Sequence, residues 1–303
     1  MIDPKLETLI TVSELGSYTK AAQTLSLTQP AVSQHIKALE SELGIKIFNR
    51  TESGIKPTNE GIIAIRYAKR IKALYAMEAE RIADSKKNMF LVTIGLTHTA
   101  ENSGVIDALA AYSASEPSLR IKIVTDAINK LYEKLESYEV DMIVVEGRNT
   151  DNHYSSLLLD TDSLVVAVSK DSPLAKKSII TLQELQKEKL ILRSTSSGTR
   201  QLFEASLRSQ GLYLDSFNVI LEVDSIGTIK DLVMKNIGIS VMSKSACQTL
   251  EDVGKLKLLP IEGLPMIREV NLVYPKDFGH IDILDGIVGA YKKVTRAPLK
   301  VAQ

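Results

Sequence analysis

Two amide side chains and a hydroxyl lie close together in one short stretch near the amino terminus. Gln29, Ser33 and Gln34 would share the exposed side of one helix, with Lys37 one turn further on. A glutamine amide can pair with the edge of an adenine, and a serine hydroxyl can reach a base or a phosphate. The face carries little negative charge until Glu40. Its chemistry is therefore typical of a helix that reads DNA in the major groove.

Two helices around a tight turn would position this face. Ser17 predicts the start of the first helix, over residues 18–25, and Thr28 with Pro30 predicts the start of the second. The apolar stripe of the second helix would be buried, and it consists of Val32, Ile36, Leu39 and Leu43. We predict a helix-turn-helix whose DNA-facing residues include Ser17, Lys20, Thr28 and Pro30 beside the reading face. The alternative is an ordinary helical hairpin with a solvated polar face.

A short hairpin follows Gly44, which suits the end of the second helix. Residues 45–50 alternate apolar and polar side chains, residues 51–54 have turn chemistry, and residues 55–57 return the chain. We predict a wing from which Arg50, Lys56 and also Thr51 could reach the sugar-phosphate backbone. The alternative is a surface hairpin with ordinary exposed cations.

A long helix is predicted next, over residues 59–85. Its apolar seam consists of Ala64, Tyr67, Ala68, Ile71, Leu74, Tyr75 and Ile82. A small amino-terminal unit offers this seam little to pack on, so we expect it to pair with a second copy of the chain. Residues 86–88 would form a polar hinge.

Composition limits the class of protein. The 303 residues have a net charge of +0, but residues 1–87 hold 13 basic and 10 acidic residues. Positive charge is therefore modestly concentrated at the amino-terminal end, which favours contact with DNA phosphates. A single cysteine, Cys247, excludes a disulfide framework or a cysteine-rich metal site, and the four histidines form no close pair. The amino terminus lacks the pattern of a signal peptide, and no apolar run reaches membrane-spanning length. These features predict a soluble, cytoplasmic protein with no metal and no cofactor.

From Phe90 the pattern changes to alternating strands and helices. Strands are predicted at residues 91–96, 119–124, 140–145, 157–159, 164–168, 190–192, 218–223, 239–242 and 270–274. Helices are predicted at residues 103–114, 129–136, 181–186, 199–210, 228–236 and 281–294. Residues 91–145 follow a βαβαβ order, which indicates an α/β fold with a parallel sheet and helices on its faces. The two runs of strands and helices look like similar α/β units, and the last strand and helix are available to return to the first.

At this point the chain resembles the LysR-type transcriptional regulators. The resemblance rests on residues 16–22, 28–34, 36–40 and 43–44, on Phe48 and Arg50, and on Pro57, Thr58 and Gly61. Tyr18 stands where phenylalanine is more usual in the family. The stretch 192–200 resembles the branch that includes regulators of sulfur assimilation and carbon fixation, although that branch commonly has an acidic residue and a glycine within 194–196.

The resemblance implies a domain order for the whole chain. A winged helix-turn-helix DNA-binding domain would occupy residues 1–58, and a dimerisation helix and hinge would occupy residues 59–89. An effector-binding domain like the periplasmic binding proteins would follow over residues 90–303. Its lobe I would comprise residues 90–161 and 267–303, and its lobe II residues 162–266. The family also implies a homodimer or homotetramer that binds double-stranded promoter DNA and a small effector.

Four loops would form the effector pocket by the same resemblance. They contain Thr97, His98 and Thr99, then Ala127, then Ser196, Ser197, Thr199 and Arg200, and finally Ser225 and Thr228. Each loop follows a strand, at the edge where open α/β sheets place ligands. Residues 196–199 also precede a helix, whose first N–H groups favour an anion.

The polar residues of these loops have structural alternatives. Ser197 or Thr199 could merely cap the helix, and His98 could be an ordinary loop histidine. Arg193 and Arg200 could face solvent or pair with Glu204. Because residues 97–99 and 196–200 contain no acidic residue, we expect a small anionic metabolite between the lobes.

Two other classes of function compete with a transcription factor. A solute-binding protein would leave residues 1–87 unexplained and would need a secretion signal. An enzyme is disfavoured because the chain has no Gly-x-Ser-x-Gly elbow, no Gly-x-Gly-x-x-Gly fingerprint and no P-loop.

Overall fold

A computed structural model describes residues 2–51, 54–85 and 89–296 of the chain. Residue contacts divide the chain into two compact units, Met1–Leu91 with Glu136–Glu139 and Val92–Leu135 with Val140–Gln303. None of the helices within the described ranges has the length and apolar character needed to cross a membrane.

The first unit is mainly helical. Its elements are α1 (Pro4–Leu15), α2 (Tyr18–Thr24), α3 (Gln29–Leu43), β1 (Phe48–Thr51), β2 (Gly54–Pro57) and α4 (Asn59–Ser85). Asp3, Ser17 and Thr28 each accept a backbone N–H at the start of α1, α2 and α3. Gly16 and Gly44 end α1 and α3 in the left-handed conformation, with φ of 61° and 66°. The predicted helix-turn-helix is thus present, with α2 and α3 as its two helices.

One apolar core joins the elements of this unit. It is formed by Leu9, Ile10, Val12, Ala21, Ala22, Val32, Ile36, Leu39, Ile47, Phe48 and Ala68. Leu43 was expected in the stripe of α3 but is 51% exposed, because it lies in the last turn beyond this core. The first strand of the wing begins at Phe48 rather than at residue 45. Before it, the Ile47 N–H donates to the Glu40 carboxylate at 2.8 Å, so this segment is tied to α3.

The expected seam of α4 divides into two parts. Ala64 and Ala68 pack on the core of the first unit. The remaining seam residues are exposed to between 37% and 55% of their surface, and they are Tyr67, Ile71, Leu74, Tyr75 and Ile82. A row of large apolar side chains therefore lies open along the helix.

The second unit alternates strands and helices. Its strands are β3 (Phe90–Leu96), β4 (Leu119–Thr125), β5 (Met142–Glu146), β6 (Tyr154–Ser169), β7 (Lys189–Leu192), β8 (Asn218–Glu222), β9 (Ser240–Ser243), β10 (Leu256–Leu259) and β11 (Ile267–Pro275). Its helices are α5 (His98–Glu101), α6 (Gly104–Ser115), α7 (Ile128–Glu136), α8 (Leu182–Lys187), α9 (Gly198–Ser209), α10 (Ile226–Met234), α11 (Lys244–Asp252) and α12 (Ile281–Arg296).

The strands form a mixed sheet, in which the predicted parallel pairing covers only part of the strands. The order is β10-β6-β11-β5-β3-β4, with β9 also paired to β6. β7 pairs in parallel with β8, and its Leu190 also forms an isolated parallel bridge to Ile239, just before β9. β3 and β5 are parallel, but β11 is antiparallel to both β5 and β6. β3 and β5 are therefore parallel as predicted, and β11 returns to this part of the sheet as predicted, in the antiparallel direction.

Two long strands connect the lobes of this unit. The first part of β6 pairs with β11, and its last part pairs with β9 and β10. Asp162 of β6 lies opposite Arg268 of β11, and the two buried side chains form an ion pair at 3.1 Å. The lobe with β3–β5 has a core that includes Leu131 and Ile143, and the other lobe has separate cores under α8–α11.

Candidate functional site

The exposed face of α3 carries most of the predicted DNA-reading residues. Val32, Ile36 and Leu39 are at most 5% exposed, so the opposite face of the helix must point to solvent. Gln29, Gln34 and Lys37 are exposed there, as is Pro30, and Ser33 is half-buried. α3 therefore presents amide, hydroxyl and ammonium groups together, as a helix in the major groove would require.

The two predicted cap residues have structural roles. The Ser17 hydroxyl accepts the Lys20 N–H, and the Thr28 hydroxyl accepts the Ala31 N–H, each at 3.4 Å. Lys20 itself is exposed on α2. The start of each helix is thus fixed by its own sequence, which in turn fixes the direction of the side chains on α3.

The wing carries a further exposed cation. β1 and β2 pair antiparallel, with Asn49 opposite Lys56 and Arg50 opposite Ile55. Lys56 is exposed. The side chains of Arg50 and Thr51 lie outside the described part of the structure, as do residues 52 and 53 of the predicted turn, so the position of these groups stays a prediction.

A cavity of about 250 Å³ lies where the two lobes of the second unit meet. Its lining residues are Thr97, His98, Thr99, Asp126, Ala127, Ile128, Glu146, Arg193, Ser196, Ser197, Gly198 and Asp224. They follow or end β3, β4, β5, β7 and β8, at the carboxyl ends where open sheets bind ligands. The structure therefore brings together three of the four loops that the sequence predicts, and it leaves out Ser225 and Thr228 of the fourth.

The amino terminus of α9 points into this cavity. Ser197 is the N-cap residue, but its side chain makes no capping hydrogen bond. A Cβ atom at Gly198 would lie 3.2 Å from Cδ1 of Ile128, so glycine lets the helix start approach the facing lobe closely. The first N–H groups of α9, with the positive end of the helix dipole, are a favourable place for an anion.

Arg193 is the buried cation of the cavity. Its side chain is about 5% exposed, and its nearest carboxylate oxygen is Asp224 Oδ1, 3.7 Å from Nη2. Burial lowers the pKa of Arg193, while the carboxylates of Asp224 and Glu146 oppose that shift. Among the described residues, its Nε has no hydrogen-bond partner. A buried donor without an acceptor is costly, and this atom has almost no accessible surface. An anion in the cavity would therefore meet the guanidinium through its charge rather than through Nε.

Three carboxylates share the lining with Arg193. Burial raises the pKa of Glu146, whose Oε1 accepts a hydrogen bond from the Thr97 hydroxyl at 2.8 Å. The Ser194 hydroxyl donates to Asp224 at 2.6 Å and lowers the pKa of that carboxyl. The third is Asp126. Residues 97–99 and 196–200 contain no acidic residue, but the cavity that they help to line contains three carboxylates from other segments.

Arg200 does not supply the cation that the sequence analysis expects of it. Its Nε lies 2.6 Å from Glu204 and its Nη1 2.7 Å from Glu222, and Nη1 also donates to the Arg193 carbonyl at 3.1 Å. The guanidinium is buried by these partners and is absent from the lining. Of the two structural alternatives for Arg200, solvent or Glu204, the structure has the ion pair with Glu204.

Three more predicted residues lie away from the cavity. The buried Thr199 hydroxyl accepts from Arg268 Nη1 at 3.4 Å. Ser225 caps α10 by accepting the Thr228 N–H at 3.2 Å, and both residues are exposed. Thr97 lines the cavity, but its hydroxyl both caps α5 and donates to Glu146. His98, Thr99, Ala127, Ser196 and Ser197 line the cavity as expected.

Sequence reasoning missed two of the charged groups, Glu146 and Asp224, and did not place Arg193 in the cavity. Glu146, Arg193 and Asp224 line the cavity, although only Arg193 was considered, with solvent or Glu204 as its alternatives. Each lies at or just after the carboxyl end of β5, β7 or β8. The strand-end rule that selects the other loops would have selected these residues too.

Metal and thiol chemistry have little support among the described residues. No group of three or more His, Cys, Asp or Glu side chains there is placed to hold a metal ion. The Cys247 thiol is buried in a lobe core, and burial raises its pKa to about 11. It is therefore almost entirely protonated and unreactive near neutral pH.

Two family models match the chain. One is described as a bacterial regulatory helix-turn-helix protein of the lysR family and matches residues 4–62. The other is described as a LysR substrate binding domain and matches residues 91–281. The first match contains the α3 face and the wing, and the second contains the whole lining of the cavity.

Named relatives and a solved structure agree with these matches. The chain is 30% identical over 280 residues to the transcriptional activator CmpR of Synechocystis sp., covering 90% of this chain and 88% of that one. It is 29% identical over 265 residues to the transcriptional regulator CbbR of Xanthobacter flavus, covering 86% and 78%. Full-length CbnR, solved in complex with its target DNA, superposes with a TM-score of 0.66 at 17% identity, covering 97% and 100%. That last likeness concerns the fold.

Proposed function

The chain belongs to the LysR family of transcriptional regulators, and on that premise we propose that it binds specific promoter DNA under the control of a small anion. The protein is thus a regulator and not an enzyme, like its named relatives. The anion would bind in the cavity between the two lobes. Because its target is promoter DNA, we infer that it works in the cytoplasm.

DNA recognition is assigned to α3 and its neighbours. Gln29, Ser33 and Gln34 would meet base edges, since they share the solvent face of a helix with a buried opposite side. Lys20, Lys37, Arg50 and Lys56 would meet phosphates. Ser17, Thr28 and Pro30 would act near the backbone at the starts of the two helices.

Assembly through α4 would give the protein two copies of this face. The exposed row that contains Ile71 and Leu74 is apolar and lies on a helix of 27 residues. A second copy could cover it in an isologous contact, which gives a homodimer and, by further association, a homotetramer. The proposed domain limits are residues 1–58, 59–89 and 90–303.

One observation carries the anion proposal. The uncapped start of α9 and the Arg193 guanidinium line the same cavity, and both attract negative charge. A ligand held between two lobes favours the arrangement that it binds better. That difference in affinity is the free energy available to change the DNA-bound form.

Thermal unfolding in the presence of anions tests this proposal. The probes are sulfate, phosphate, propanoate and succinate, added to wild type and to Ser197→Asp. Aspartate is a good N-cap, so the variant should fold, but its carboxylate would occupy the position of the anion at α9. We expect at least one probe to raise the Tm of wild type and not of Ser197→Asp.

Ser225→Asp is the matched control. It places the same carboxylate at the start of α10, where Ser225 is exposed and away from the cavity. The control should respond to the anion as wild type does. If Ser197→Asp responds as well as the control does, then the anion binds elsewhere. If none of the anions raises the Tm of wild type, the proposal of an anion site is wrong.

A further inference from the structure

The charges around the cavity do not match an effector that is only an anion. Three carboxylates line it, from Asp126, Glu146 and Asp224, against the guanidinium of Arg193 and the imidazole of His98. A second negative group on the ligand would meet at least one of these carboxylates. Like charges at short range in a partly desolvated cavity repel each other, so the lining disfavours a simple dianion.

The three carboxylates differ in the partners that the protein gives them. Asp224 has the Ser194 hydroxyl at 2.6 Å and Arg193 at 3.7 Å, and it is 68% exposed. Asp126 has Lys134 Nζ at 3.8 Å. Both are therefore at least partly neutralised by the protein or by water.

Among the described residues, Glu146 forms no ion pair within 4 Å, although the more distant Arg193 and Arg268 attract it. It ends β5 on the lobe opposite α9, where it lies in both the main cavity and an adjoining cavity of about 20 Å³. One of its oxygens accepts the Thr97 hydroxyl, and burial raises its pKa despite the attraction of Arg268. A half-buried carboxylate without an ion pair gains from a proton or from a cationic donor.

We propose that the effector is a small amphoteric acid, an anion that also carries an ammonium group. The proposal rests on the proposed function. The acid group takes the start of α9 and the Arg193 guanidinium, and the ammonium group donates to Glu146 across the cavity. Glu146 is then a specificity-determining residue of the effector site.

Simpler ligands leave part of the cavity unsatisfied. A cation without an acid group would leave the start of α9 without an acceptor and would be repelled by the Arg193 guanidinium. An acid without an ammonium group would leave Glu146 either charged and uncompensated or protonated. A molecule with both groups satisfies both sides of the cavity with opposite charges when the two lobes hold it between them.

Matched pairs of acids test the inference. The pairs are L-alanine and propanoate, L-aspartate and succinate, and taurine and ethanesulfonate, which differ within each pair by the amino group. Their affinities for full-length wild type, Glu146→Gln and Ser197→Asp are measured by calorimetry and thermal shift. Glutamine keeps an oxygen for the Thr97 hydroxyl but carries no charge. In wild type, we expect the amino member of at least one pair to bind about tenfold tighter than its partner. In Glu146→Gln, that preference should fall to about twofold or less.

The outcomes separate this inference from the proposed function. If acids bind wild type, fail to bind Ser197→Asp and gain nothing from the amino group, the anion site stands and the amphoteric effector is wrong. A wild-type preference that persists in Glu146→Gln would place the ammonium group elsewhere and would contradict the role of Glu146. If no member of any pair binds wild type, both proposals are wrong. The wild-type comparison decides the ligand class even if Glu146→Gln does not fold.

Discussion

Replacing Asp162 by alanine should destabilise the second unit strongly, because this residue pairs with Arg268 where the two connecting strands lie side by side. The two side chains are 3% and 6% exposed, and Asp162 Oδ2 lies 3.1 Å from Arg268 Nη2. Asp162 also accepts the Ser243 hydroxyl at 2.7 Å and the Ser245 N–H at 3.2 Å. Asp162→Ala would remove every one of these contacts and leave a buried guanidinium without its carboxylate.

The expected loss is about 3–5 kcal/mol of unfolding free energy, the usual cost of breaking one half of a buried ion pair. A double variant, Asp162→Ala with Arg268→Met, leaves no uncompensated charge. It should therefore lose less than Asp162→Ala alone, although the Ser243 hydroxyl still lacks its acceptor. The matched control is Asp160→Ala, two residues earlier on the same strand, where the side chain is exposed and accepts the Tyr291 hydroxyl. It should cost about 1 kcal/mol or less.

Urea unfolding followed by far-ultraviolet circular dichroism measures these differences, since the chain has no tryptophan for fluorescence. The slope of each transition shows whether the variants unfold the same surface. The reasoning is refuted if Asp162→Ala is no less stable than Asp160→Ala. It is refuted equally if Arg268→Met, added to Asp162→Ala, lowers the unfolding free energy by as much again, because the two side chains would then act independently.

Three further predictions follow from particular side chains. Replacing Ile71 and Leu74 together by aspartate puts charge into the apolar row of α4, so light scattering should detect single chains. The control variant Ala76→Asp, on the other face of the helix, should leave the assembly intact. Cys247 should resist iodoacetamide until the protein is unfolded, since its thiol pKa is about 11, and rapid alkylation of the native protein would contradict its burial. Because burial raises the pKa of Glu146, the folded protein holds this proton to higher pH than the unfolded chain does. The contribution of this proton to the unfolding free energy is therefore present at low pH and lost as the pH rises through the folded pKa. Wild type should lose stability relative to Glu146→Gln over that range. Urea titrations from mildly acidic to mildly alkaline pH measure the difference, and a constant difference would contradict the shift.

The helix-turn-helix was predictable because its boundaries are local. Ser17, Thr28 and Gly44 each define a helix end through hydrogen bonds or φ angles within a few residues of themselves. The apolar spacing of α3 then decides which face is buried. Leu43 is the exception, because burial in the last turn depends on how far the core of the unit extends.

The strands of the second unit were harder to predict where polar residues have distant partners. Residues 160–163 interrupt the apolar pattern of β6, so the sequence suggests two short strands instead of one of 16 residues. Asp160 and Asp162 are accommodated there by Tyr291 and Arg268, which are more than 100 residues away. α11 and β10 were missed, and α11 is largely polar in sequence, with few apolar positions that show helical spacing.

The choice between Arg193 and Arg200 shows the same limit in the candidate site. Both arginines flank the same loop, and the sequence offers Glu204 to Arg200 at helical spacing. The second partner of Arg200, Glu222, comes from β8 and cannot be assigned by local spacing. Which residues contact an effector stays a prediction, but the partners of Arg200 leave Arg193 as the cation of the lining.

The most direct test of DNA reading by α3 is selection from a random-sequence library with the full-length protein, followed by binding titrations at two salt concentrations. Wild type should enrich one motif with two half-sites, and Gln34→Ala should lose about 1–3 kcal/mol on it while keeping its affinity for unrelated DNA. Lys56→Ala should instead weaken both kinds of DNA alike and reduce the salt dependence. Enrichment of no motif by wild type, or equal affinity of wild type and Gln34→Ala for the selected motif, would contradict the assignment of this face.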